Sequence, residues 1–118
     1  MLDGIWLPVG GELRGQTLPE GSLSKLKLIL GDGSYELVVD TITVDRGVYE
    51  LVPQTAPEQM RITGTDGPNK GRTIPAIVEL EEETLTICYD LSGENPPEEF
   101  KTSADSQLYL VRYQRQSY

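Results

Sequence analysis

Runs of about five to eight residues, alternating or wholly apolar and each closed by Gly, Pro, Asn or Asp, follow one another along the chain at the ~8–12 residue spacing of all-β domains. They predict strands near Gly4–Val9, Lys25–Leu30, Tyr35–Asp40, Thr41–Val44, Val48–Val52, Gln59–Thr65, Thr73–Leu80, Thr84–Tyr89 and Gln107–Arg115. Gly31-Asp32-Gly33-Ser34 tolerates positive φ between two apolar runs and predicts a hairpin. Gly67-Pro68-Asn69-Lys70-Gly71 and Glu81-Glu82-Glu83 join later pairs in the same way. Only Pro19–Leu26 has a helical look, for a turn or two, and Leu91–Ser106 reads as a long loop anchored by Phe100. The period of two puts Leu26, Leu28 and Leu30 on one side of a strand, Tyr35, Leu37 and Val39 on one side of the next, and Ile74, Ala76, Val78 and Leu80 on one side of another. These sides face the interior. Eight or nine strands in sequential order commonly close on themselves, because closure removes exposed edges. At 118 residues the whole chain, 1–118, is therefore expected to be one all-β domain. Its form is a single antiparallel up-and-down barrel or half-barrel of eight or nine strands.

Ten Lys plus Arg stand against 19 Asp plus Glu, a net charge of -9, so a nucleic acid or an anionic bilayer is repelled by most of the surface. No run approaches the ~18 apolar residues of a membrane span, and the N-terminal residues carry no basic-then-apolar signal pattern. A single cysteine, Cys88, allows no internal disulfide. The expectation is a soluble, cytoplasmic protein.

No histidine exists in the chain, which removes the commonest general base, the Ser-His-Asp and Cys-His arrangements, and His-bound zinc or haem. A haem would need a tyrosine or Cys88 as its axial ligand. Cys88 lies on the Thr84–Thr86 face of its strand, opposite Leu85, Ile87 and Tyr89, with no basic neighbour in sequence to lower its pKa, and reads as a packing residue. Glu98, Glu99 and Asp66 read as solvated loop charges, and neither Glu81–Glu83 nor Asp90–Glu99 has the spacing of a calcium loop. The glycines sit between strands and form no phosphate-binding signature. No catalytic residue, metal or cofactor is assigned, and an enzyme is not expected. Tyr35, Tyr49, Tyr89 and Tyr113 remain, as hydroxyls among aliphatic side chains in the interior, and are the candidate ligand-binding residues.

Gly4-Ile5-Trp6 near the start and Arg115 near the end resemble the calycin and lipocalin pattern. In order, Gly15-Gln16-Thr17-Leu18-Pro19, Gly47–Pro53, Gly64–Thr73 and Thr84–Tyr89 resemble a lipocalin-like (calycin-type) small-domain family abundant in planctomycete bacteria, nearly end to end. The resemblance implies a barrel whose first-strand tryptophan, Trp6, plugs one end beneath a basic side chain. Arg115 is preferred to Arg112 for that part, because alternation puts Tyr109, Val111, Tyr113 and Arg115 on one face and Leu108, Leu110 and Arg112 on the other. A guanidinium over an indole also gains roughly 0.5–2 kcal/mol by cation–π attraction, so the pair has a structural reason of its own. Where the family has Arg-Pro-x-Glu-Phe this chain has Pro96-Pro97-Glu98-Glu99-Phe100, and any function tied to that arginine is not carried over. The resemblance implies a fold and no activity. Two functions are left: a non-enzymatic binding domain holding a small apolar or amphipathic ligand, or a protein-interaction module with a side-chain-filled barrel that meets a partner protein through a strand edge or Leu91–Ser106. A cavity of about 300 Å³ or more favours the first, and a packed interior the second.

Overall fold

The computed structural model describes residues 2–116, without the side chains of Glu20 and Ser22. Alternation along the chain resolves into strands β1 (Gly4–Leu13), β2 (Gln16–Thr17), β3 (Leu26–Gly31), β4 (Ser34–Val39), β5 (Ile42–Val52), β6 (Glu58–Asp66), β7 (Thr73–Glu81), β8 (Thr84–Asp90) and β9 (Leu108–Arg115), with one helical turn, α1 (Glu20–Leu23). Every neighbouring pair is antiparallel, in the order β2-β1-β3-β4-β5-β6-β7-β8-β9. β1 also pairs with β9, Trp6 facing Arg115 and Leu13 facing Tyr109, so the sheet closes into an up-and-down barrel of eight strands with the two-residue β2 appended. The half-barrel alternative is thereby removed.

Strand direction sorts the connections between two ends. One end gathers the start of β1, the turns after β3, β5 and β7, and the end of β9. The opposite end carries α1 and the connections following β4, β6 and β8. The β3–β4 turn has both Asp32 and Gly33 at positive φ, the twist-compatible geometry of a two-residue hairpin.

Most expected strands lie within a residue or two of their place, β2 is added, and two strands run further than the sequence predicts. The stretches Thr41–Val44 and Val48–Val52 merge into the single strand β5, which starts at Ile42, and the turn falls at Asp40-Thr41. Gly47 lies within it because a Cβ there would stand 2.7 Å from the Tyr35 ring and 2.1 Å from the Thr63 carbonyl. β1 likewise runs past Val9 to Leu13, with a bulge between Pro8 and Gly10, and at Gly11 a Cβ would stand 2.9 Å from the Leu110 carbonyl of the paired β9.

The inward faces make the main core, with Trp6, Leu85, Ile87, Ala76, Val111 and Met60 almost wholly enclosed. Leu80 sits at the rim and is 36% exposed, so its side chain is not part of this core. A second, smaller core lies outside the barrel wall, where Ile77, Cys88 and Leu110 are covered by Phe100 and Leu108. The segment after β8 is thus folded down over the outer face. It is fastened by Thr102, which accepts the Gly15 amide proton at 2.9 Å and donates to Glu12 Oε1 at 3.0 Å.

Candidate ligand-binding site

The end near the chain's N-terminus is shut. Trp6 is fully buried and donates its indole N–H to the Leu2 carbonyl at 2.8 Å. The Arg115 guanidinium lies 4.4 Å from the Trp6 ring centroid, donates to the Asp3 carbonyl and pairs with Glu83 at 3.1 Å. Gly4, at φ +147°, is needed beneath it, because a Cβ would come within 2.9 Å of the guanidinium nitrogen. Arg112 is on the outer face and exposed.

Beyond this plug the side chains do not fill the barrel. A cavity of about 140 Å³ remains, bounded by aliphatic side chains such as Leu28, Leu30, Met60, Ile62 and Ile87. Tyr35 on β4, Tyr49 on β5, Tyr89 on β8 and Tyr113 on β9 all line it. Tyr109, Asp45 and Asn69 join them, three residues outside the candidates that the sequence marks. Tyr109 was findable, since it shares the inward face with Val111 and Tyr113. Asp45 and Asn69 are brought together only by the fold. Leu26, Leu91 and Tyr109, at the end opposite Trp6, also border a more open apolar depression of about 270 Å³ floored by Leu13, Leu18 and Leu23.

The polar groups are arranged in two sets. The Tyr89 and Tyr113 hydroxyls are 3.0 Å apart, and the Tyr89 ring stacks on Tyr109 with centroids 5.6 Å apart. Across the cavity, Asp45 Oδ2 accepts from the Tyr35 hydroxyl at 3.3 Å and from Asn69 Nδ2 at 2.9 Å, while Oδ1 accepts the Arg46 amide at 3.1 Å. Asp45 is only 7% exposed. Burial, the Asp45 charge and the hydrogen bond to it push Tyr35 up to about 12. Burial raises Tyr49 and Tyr109 and, more strongly, Tyr89 and Tyr113, so at neutral pH the cavity presents neutral hydroxyls.

These groups can hold a compact molecule and offer it hydrogen bonds, but they supply no activated nucleophile. A cavity this size is close to the ~150 Å³ that accommodates benzene and is several times too small for a haem. Cys88 is fully buried beneath Phe100, outside the barrel; burial pushes its thiol up, and its nearest polar partner is the Lys101 carbonyl at 3.9 Å. Glu98, Glu99 and Asp66 are exposed, and Asp66 caps the Gly67 amide at 3.0 Å. Among the described residues no group of three or more acidic or cysteine side chains is placed to hold a metal ion, and no helix is long and apolar enough to cross a membrane. No protein-family model, curated protein or solved structure matches this chain.

Proposed function

We propose that the chain is a non-enzymatic, lipocalin-like binding domain that holds one small amphipathic ligand inside its barrel. The observation that carries this reading is the unfilled interior, about 140 Å³ walled by hydrocarbon and carrying tyrosine hydroxyls and one carboxylate. An interior shaped only for stability would be packed to crystal-like density, since each void forfeits dispersion contacts. The volume falls short of the ~300 Å³ of drug-sized pockets, which limits the ligand's apolar body to about the size of benzene. Entry is from the end bearing Leu26, Leu91 and Tyr109, because the Trp6–Arg115 plug shuts the other.

Native mass spectrometry of the protein purified from its own source, compared with its mass after denaturation, tests the reading. One small molecule that leaves on unfolding supports it. A bare chain under gentle conditions moves the assignment to the protein-interaction module. For that second reading the apolar side chains Ile42, Val44 and Val48 of β5, all exposed, offer a surface, whereas barrel closure leaves no long strand edge free among the described residues.

A further inference from the structure

Asp45 is the single charged residue among those lining the cavity, and it has no basic partner: none of the ion pairs among the described residues involves it. Its three hydrogen-bond donors, the Tyr35 hydroxyl, the Asn69 amide and the Arg46 backbone N–H, are all neutral. A buried carboxylate held only by neutral donors keeps an uncompensated charge, which is costly unless something positive comes to it. The rest of the wall is suited to that visitor. Tyrosine rings present negative faces to a cation, and the cavity carries aromatic side chains from β4, β5, β8 and β9 but no lysine or arginine. An anionic ligand would meet Asp45 with nothing to balance it. A purely apolar ligand would displace the solvent around that carboxylate and give no donor in return.

Resting on the reading of the cavity as a ligand site, we infer that the ligand is a small protonated amine, its ammonium group directed at Asp45 and its compact apolar body, about the size of benzene, set among Leu28, Met60 and Ile87. The negative charge of Asp45 is already felt inside the cavity, where it helps to hold up the Tyr35 hydroxyl. The net charge of -9 also concentrates cations around the molecule, which speeds their approach without selecting among them.

Benzylamine and benzyl alcohol are nearly the same shape and differ in charge at neutral pH, so they separate this inference from the reading beneath it. Isothermal titration calorimetry of both, at low salt and at about 0.5 M salt, is expected to show the amine binding about tenfold tighter or more, as a hydrogen-bonded charge pair requires. The preference persists in high salt because a buried pair is little screened. Asp45→Asn preserves the shape of the side chain and removes its charge; it should abolish the amine's advantage over the alcohol. Alcohol binding as tight as the amine's overturns the inference and leaves the cavity reading standing. So does a preference that vanishes in salt or survives Asp45→Asn, since either would come from surface charge. If neither compound binds, the cavity reading fails and the inference with it. Should Asp45→Asn not fold, the salt series on the unmodified protein decides alone.

Discussion

Replacing Arg115 by alanine removes at least three interactions from the closed end of the barrel, and the sizes of these three can be set separately. The guanidinium over Trp6 at 4.4 Å, with the arginine side chain only 24% exposed, is worth about 1 kcal/mol. Its hydrogen bond to the Asp3 carbonyl adds about 1 kcal/mol, because it ties the first residues of the chain across the start of β1. The ion pair with Glu83 adds about 0–0.5 kcal/mol, since the glutamate is 67% exposed and water screens it. From these three, Arg115→Ala should cost about 2–2.5 kcal/mol in urea unfolding, with an unchanged denaturant slope. Arg115→Lys keeps the charge but not the planar contact and should lose about half of that. Glu83→Gln should cost at most about 0.5 kcal/mol. In a double-mutant cycle with Trp6→Leu the two residues should couple by about 1 kcal/mol. A loss below about 0.5 kcal/mol for Arg115→Ala, or no coupling to Trp6, would refute the account of this end as a stacked plug.

The remaining predictions concern backbone crowding and titration. Gly47→Ala places a methyl against the Thr63 carbonyl and the Tyr35 ring, and should destabilise the fold by about 1–3 kcal/mol or more by overpacking, read as a lowered urea midpoint. Tyr35, Tyr49, Tyr89, Tyr109 and Tyr113 are all raised above the unfolded value near 10. Their contribution is thus complete below about pH 10 and is lost as pH climbs toward the folded values, so their tyrosinate absorbance should appear together with loss of tertiary circular dichroism. Asp90 has the opposite sign: burial opposes its ionisation, but the Ser92 hydroxyl and the amides of Asn95, Ser92 and Glu94 outweigh it and lower its pKa. The fastening it gives to the segment after β8 is present above about pH 4 and lost as pH falls through the folded value. Asp90→Ala should therefore expose Cys88 to thiol reagents faster at neutral pH, with the difference from the unmodified protein narrowing in acid.

The strands were legible because a half-buried strand must alternate, and the Gly-Asp-Gly turn left the β3–β4 register no freedom. The closing pair was legible too, from the parity that separates Arg115 from Arg112. What escaped has physical causes. Gly11 looks like a chain breaker, whereas here it answers to the approach of the Leu110 carbonyl on β9, a contact formed across nearly the whole chain. Gly47 split β5 in the reading for the same reason, its partner being a ring on the neighbouring strand. The outer core left a trace: Ile77, Cys88, Leu108 and Leu110 are apolar on the face that alternation assigns to solvent, which calls for a cover that Phe100 provides. The four candidate tyrosines are brought to one cavity, but Asp45 meets Asn69 only because the turn after β6 folds over β5. The cavity itself has no signature in alternation, because its volume is what packing leaves unfilled.

Whether the barrel interior takes a ligand is tested by titrating the protein with benzyl alcohol and recording nuclear Overhauser contacts between the ligand's protons and the protein. A ligand of about eight non-hydrogen atoms in a cavity of about 140 Å³ should saturate with a dissociation constant of about 0.1–1 mM. Contacts are expected to the Tyr35, Tyr49 and Tyr113 rings and to the Ile87 methyls, all inside the barrel. Contacts confined to the outer β5 side chains Ile42, Val44 and Val48, or no saturable binding up to about 10 mM, would contradict binding inside the barrel.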